Sequence, residues 1–146
     1  MDVRKSVIED FEGMVQGVGY DQVYGRIFGI LWVSDKEKSL DEICKESSYA
    51  LSTVSIVLKE MWKFGIVRRI KRKGDRKIYY KTDLKISDLF NVFLSKLFLE
   101  GLYHMQEREK DLKSLELKDK DKAIVDKYLK EMKEFRKMLE EISLLR

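Results

Sequence analysis

Proline is absent from this 146-residue chain, cysteine and histidine occur once each, and asparagine stands only at Asn91. A single cysteine, Cys44, excludes an intramolecular disulfide and any cysteine-based metal cluster; on the apolar side of its segment it reads as buried filler. The single histidine, His104, has no second imidazole to share a metal with, so it reads as structural and no cofactor is expected. With no phosphate-cradling glycine loop either, the chain shows no recognisable catalytic set and is not expected to be an enzyme. No run approaches the ~18–20 apolar residues of a spanning helix, and Met1-Asp2-Val3-Arg4-Lys5 lacks the core of a signal peptide. A soluble, cytoplasmic protein without a membrane partner is expected. The missing proline and the dominance of Lys and Glu lean towards a mainly helical fold and a thermophilic source.

What is present is unevenly charged. Between Ile66 and Lys81 stand eight basic residues (Arg68, Arg69, Lys71, Arg72, Lys73, Arg76, Lys77 and Lys81) against one acid, Asp75, a local charge of +7. The whole chain carries +4, so everything outside this window sums to −3. A positive field concentrated on one short stretch is what phosphate neutralisation requires.

Hydrophobic periodicity places that stretch in an ordered series. Val3, Val7, Ile8, Phe11, Met14 and Val15 recur at helical spacing, and Gly17-Val18-Gly19 ends the helix. Asp21 to Val33 is a second, more apolar helix that buries Tyr24, Ile27, Phe28, Leu31 and Trp32. Its Gly25 and Gly29 are costly in a helix unless a neighbour approaches closely, so they predict packing contacts. Ser39-Leu40-Asp41-Glu42 has the pattern of an N-cap with an acid three residues on, opening a short helix to about Ser47. After a polar turn, Leu51 to Phe64 carries an inward stripe of Val54, Val57, Leu58 and Met61, and Gly65 stops it. Two β-branched and aromatic runs follow, Ile66 to Ile70 and Lys77 to Lys81, joined by Lys71 to Arg76 with its turn residue Gly74. Helix, turn, helix and basic hairpin in this order predict a winged helix-turn-helix.

The rest is helical. Ile86 to about Leu117 forms a long helix, and in Lys118 to Arg146 the residues Val125, Tyr128, Met132, Phe135, Leu139 and Ile142 alternate spacings of three and four, an apolar seam of the helix-pair type. The fold class is therefore mainly α with a small β-wing. Residues 1–19 form an N-terminal helix of a dimerisation region, 20–84 a winged helix-turn-helix, and 85–146 a C-terminal helical dimerisation region.

In such a motif the second helix enters the major groove, so side chains off its inward stripe are the candidate contacts: Leu51, Ser52, Thr53, Ser55, Ile56 and Lys59. Ser52, Thr53 and Lys59 can donate to phosphates or bases, while Leu51 and Ile56 can only meet a thymine methyl. On the hairpin, Arg72, Lys73, Arg76 and Lys77 are the candidates for phosphates or the minor groove. The bland alternative is a solvated charge run that protects an edge strand. Trp32, Trp62, Phe90, Phe93 and Phe98 are core or interface aromatics first, and an apolar pocket for a small-molecule effector is their other use.

Gly25-Arg26-Ile27-Phe28-Gly29-Ile30-Leu31, Ser39-Leu40-Asp41-Glu42-Ile43, Thr53-Val54-Ser55, Leu58-Lys59, Phe64-Gly65-Ile66-Val67 and Gly74-Asp75-Arg76-Lys77-Ile78-Tyr79-Tyr80 together resemble the winged-helix regulators of the MarR superfamily, and within it the GbsR-like repressors. The match runs from about Gly17 to Asp83 and suits an archaeal member. It implies a homodimer with interlocked terminal helices, in which two recognition helices enter successive major grooves of a pseudo-palindromic double-stranded operator. Phe93, Leu97 and Leu102, with the seam from Val125 to Ile142, suit the dimer face. Asp75 would brace the wing and Arg76 would enter the minor groove. Ala50 stands where relatives place a Ser or Thr cap, and Ser48 where a turn glycine is common, which leaves Ser48 or Ser52 to supply the cap. A transcription regulator, a repressor, is the expected function. A DNA-coating protein without sequence preference and a winged-helix protein-docking module are the rivals.

Overall fold

In the computed structural model the described residues are 1–144, without the side chains of residues 97–100 and 142–144. Among them, six helices and three short strands run in the order α1 (Val3–Gly17), α2 (Gln22–Trp32), β1 (Lys38–Ser39), α3 (Leu40–Ser47), α4 (Leu51–Lys63), β2 (Arg68–Lys71), β3 (Ile78–Lys81), α5 (Ile86–Ser114) and α6 (Asp119–Leu144). The mainly helical class with a β-wing is what the sequence predicts. Two compact units are present, Met1–Phe93 and Leu94–Arg146.

The first unit is organised by the crossing of α1 and α2. Asp2 caps α1 by accepting from the Lys5 N–H, and Asp21 caps α2 by accepting from the Val23 N–H. A Cβ on Gly25 would lie 2.3 Å from the Phe11 carbonyl oxygen, and one on Gly29 would lie 3.0 Å from the Ile8 Cα. Both glycines therefore serve the close helix packing that the sequence predicts. Phe11, Val15, Ile27, Phe28 and Leu31 join Ile43 of α3 and Val54, Val57, Leu58 and Met61 of α4 in one core. Trp32 departs from expectation: it is 41% exposed, at the C-terminal end of α2 with its ring 5.4 Å from Phe11.

The hairpin gains a strand that the sequence did not reveal. β1 pairs antiparallel with β3, Lys38 opposite Tyr80 and Ser39 opposite Tyr79, giving the sheet order β1-β3-β2. Two residues are too short a run to show a period of two. Gly65, at φ +72, turns the chain out of α4, and the buried Thr82 hydroxyl donates to the Ile66 carbonyl at 2.7 Å, tying the end of the wing back to its start.

Phe93, expected at a dimer face, lies instead in the core of the first unit. It is 5% exposed, with its ring 4.5 Å from Tyr20 and 6.4 Å from Tyr24. The first two turns of α5 pack Leu89 and Phe93 on that core, so the apolar surface there is already covered within the chain.

In the second unit, Met132 of α6 is buried, while Val125, Tyr128, Phe135 and Leu139 on the same side of α6 and Leu102 of α5 are half-buried. Arg136 of α6 pairs with the buried Glu109 of α5 at 3.0 Å. Leu97 and Ile142, also expected at a dimer face, and the aromatic Phe98 lie outside the residues whose side chains are described. No described helix is long and apolar enough to cross a membrane.

Candidate nucleic-acid interface

The site begins with two helices and the turn between them. The Ser39 hydroxyl accepts from the Glu42 N–H while the Glu42 carboxylate accepts from the Ser39 N–H, a complete capping box that starts α3 as its sequence predicts. The Ser39 N–H is the main reason that the Glu42 carboxyl is held below its ordinary range. At the turn Ser48 adopts φ 62, the left-handed conformation that a glycine would take with less strain. The Ser47 hydroxyl accepts from the Tyr49 N–H at 3.2 Å. Arg26 of α2 secures the same turn: its Nη1 donates to the Ser47 carbonyl at 3.1 Å, its Nε to Glu12 of α1 at 2.8 Å, and its guanidinium lies 5.2 Å from the Tyr49 ring centre. One side chain thus links α1, α2 and the turn.

α4 begins without the cap expected from Ser48 or Ser52. Ala50 is its N-cap residue, and no side chain bonds the free N–H groups there. Ser48 is committed to the left-handed turn, and Ser52 is already inside the helix. Val54, Val57, Leu58 and Met61 are all buried, which orients the helix. Ser52, Ser55 and Lys59 are exposed, Ile56 is 62% and Leu51 56% exposed, and Thr53 is half-buried at the margin. Tyr24 of α2 donates to Glu60 and holds the far side of α4; its phenol is pushed up to about 12, by burial first and then by that carboxylate.

The hairpin sorts its cations into held and free. Arg72 pairs with Glu37 at 2.9 Å and lies over the Tyr79 ring at 3.6 Å. The Glu37 bond raises the Arg72 guanidinium further, while Glu37 is lowered by its own backbone N–H and then by Arg72. Asp75 accepts from the Lys77 N–H at 2.9 Å and from the Tyr79 hydroxyl at 2.7 Å; the first bond, then the second, lowers its carboxyl. The same Asp75 bond raises the Tyr79 phenol. Gly74, at φ +78, makes the tip. Arg68 pairs with Asp83 at 2.6 Å, Arg69 lies 4.8 Å from the Trp62 ring centre, and Lys77 reaches Asp41 only at 3.9 Å. Lys71, Lys73 and Arg76 are exposed and have no ion-pair partner among the described residues.

No family model matches the chain. The chain is 25% identical over 135 residues to the putative HTH-type transcriptional regulator YvaV of Bacillus subtilis (strain 168), covering 88% of this chain and 76% of that protein. A crystal structure of a transcriptional regulator aligns with a TM-score of 0.68 and 18% identity, over 95% of this chain and 91% of the other. The transcriptional regulator PA4135 aligns at 0.47 with 21% identity, over 90% of each chain.

The chain is a winged helix-turn-helix of the type found in transcription regulators.

On this winged helix, the six predicted α4 residues and the four predicted wing residues lie in one unit. Five of the six on α4 face outward. Of the four on the wing, Lys73 and Arg76 have no ion-pair partner among the described residues, Lys77 is loosely held, and the exposed Arg72 is held by Glu37 and the Tyr79 ring. Lys71, one of the eight basic residues of the window but not among the candidate contacts, is a third exposed wing cation without an ion-pair partner among the described residues. The capture of Arg72 by Glu37 had no local signal, because 35 residues separate them. Cys44 is half-buried beside the core with its thiol pushed up by burial. His104 is exposed beside Tyr103, and among the described residues no group of three or more His, Cys, Asp or Glu could hold a metal.

Proposed function

We propose that the protein is a homodimeric, sequence-specific double-stranded-DNA-binding transcription regulator of the MarR superfamily, GbsR-like branch, acting as a repressor. Its Lys- and Glu-rich, proline-free composition suits an archaeal member. The observation that carries this reading is the presence in one unit of an uncovered outward face on α4 and a hairpin whose Lys71, Lys73 and Arg76 have no acidic partner among the described residues. α4 enters the major groove through Ser52, Ser55, Ile56 and Lys59, with Leu51 and Thr53 at its edges. Lys73, Arg76 and Lys77 meet phosphates or the adjacent minor groove. Arg72 supports the wing through Glu37 and the Tyr79 ring, as Asp75 does through the Lys77 N–H and the Tyr79 hydroxyl. The half-buried Val125, Tyr128, Phe135 and Leu139, with Leu102, supply the dimer face, while Met132, like Phe93, is already covered within its own chain. Two modules then read half-sites about one helical turn apart, since one module offers too small a specific interface. A small-molecule effector that changes the spacing of the two α4 helices switches such a dimer.

Fluorescence anisotropy over a salt series tests this, with the protein's own upstream region and a scrambled duplex. Neutralising roughly four to eight phosphates per subunit gives log affinity against log salt a slope of about −4 to −7. Arg76→Ala flattens that slope, and Arg72→Ala flattens it less because Glu37 already occupies Arg72. Equal binding to both duplexes replaces the specific regulator with a DNA-coating protein. Absence of binding at moderate salt replaces it with a protein-docking module.

A further inference from the structure

Phosphate binding leaves the apolar residues on the outward side of α4 unexplained. The buried stripe of Val54, Val57, Leu58 and Met61 points one way. A step of about 100° per residue then puts Ser52, Ile56 and Lys59 together on the opposite side, with Leu51, about 140° round the helix from Ile56, at the edge nearer the buried stripe. At 62% and 56% exposure neither side chain contributes much to the core, and isoleucine is a poorer helix former than the lysine or glutamate usual at such a place. None of Leu51, Ser52, Ser55, Ile56 and Lys59 is an Arg, Asn or Gln, the side chains that bind a purine through two hydrogen bonds. The group that the major groove offers to an apolar side chain is the 5-methyl of thymine.

We infer that Ile56 reads thymine methyl groups, so that the operator is chosen by the placement of 5-methylpyrimidines rather than by bidentate hydrogen bonds. The inference rests on the DNA-binding reading of the same face. The free cations of the wing supply the complementary attraction that brings this face against DNA, and they carry no base preference of their own in the major groove. Such a surface distinguishes thymine from uracil, which pair alike and differ only by the methyl. It also favours 5-methylcytosine over cytosine.

The test uses the full chain and duplexes selected from a random library, resynthesised with thymine or with uracil throughout. Base pairing and the minor-groove edges are then unchanged. Affinities are measured by anisotropy at one salt concentration for the wild type and Ile56→Ser, whose folding is checked by circular dichroism. Uracil is expected to weaken the wild type about fourfold for each methyl in contact, roughly 15-fold for two symmetrical half-sites. Ile56→Ser is expected to bind both duplexes alike and to keep the wild-type salt slope, because no phosphate contact is removed. Equal wild-type affinity for thymine and uracil duplexes, with preference over scrambled DNA retained, overturns the inference and leaves the regulator reading intact. A uracil penalty that persists undiminished in Ile56→Ser also overturns it, since duplex stiffness is then the cause. Failure to bind any duplex removes the DNA-binding reading and this inference with it.

Discussion

Replacing Gly25 with alanine is expected to force α1 away from α2. The new Cβ would lie 2.3 Å from the Phe11 carbonyl oxygen and 2.6 Å from the Glu12 Cα, both well inside the 3.4 Å at which ordinary contact begins. Both are backbone atoms of a packed helix and cannot swing aside as a long side chain would. α1 must shift, and Phe11 and Val15, 2% and 1% exposed, must shift with it. Overpacking a core costs about 1–3 kcal/mol, and a clash with fixed backbone belongs at the upper end. The better helix propensity of alanine returns up to about 1 kcal/mol, leaving a net loss of about 2 kcal/mol. Gly13, in the middle of α1, is the internal standard, because nothing lies within 4 Å of a Cβ built there. Gly13→Ala is therefore expected to gain up to about 1 kcal/mol. Urea unfolding followed by circular dichroism measures both, at one protein concentration because subunit association, where it occurs, makes stability concentration-dependent. Equal midpoints for the two variants would refute the close crossing of α1 and α2.

Ala50→Ser supplies the side-chain cap that α4 lacks, and is expected to raise stability by about 1 kcal/mol in the same urea assay. The carboxyls of Glu37, Glu42 and Asp75 are lowered on folding, so the stability they contribute is present above their ordinary values of 4.5, 4.5 and 3.8 and is lost as pH falls through the lower folded values. Acid titration by circular dichroism should show that loss, and Asp75→Asn should show a shallower one. Tyr24 works in the opposite direction. Raised to about 12 from 10.0, it contributes stability below pH 10 that is lost between pH 10 and 12. Phenolate absorbance should therefore contain a late-titrating component that Tyr24→Phe removes.

The wing and the helix-turn-helix were legible in the chain because their signals are local. A helical period exposes Val54, Val57, Leu58 and Met61 as one stripe, Ser39 and Glu42 form a capping box within four residues, and Gly65 and Gly74 mark turns that need a positive φ. The ten candidate contacts were found by the same logic, as the complement of a buried stripe and as charge on a hairpin. Composition alone also set the imbalance of +7 on the wing against +4 for the whole chain. Tertiary structure decided whatever depends on residues far apart in sequence. Lys38 and Ser39 become a strand only because β3 lies beside them. Arg72 becomes a wing support because folding brings Glu37 and Tyr79 against it, whereas Lys71, Lys73 and Arg76 meet no acid among the described residues. Phe93 belongs to the core because Tyr20 and Tyr24 meet it there, a contact that the apolar spacing of α5 cannot specify. Periodicity tells which side of an element is apolar; only the packed chain determines which neighbour covers it.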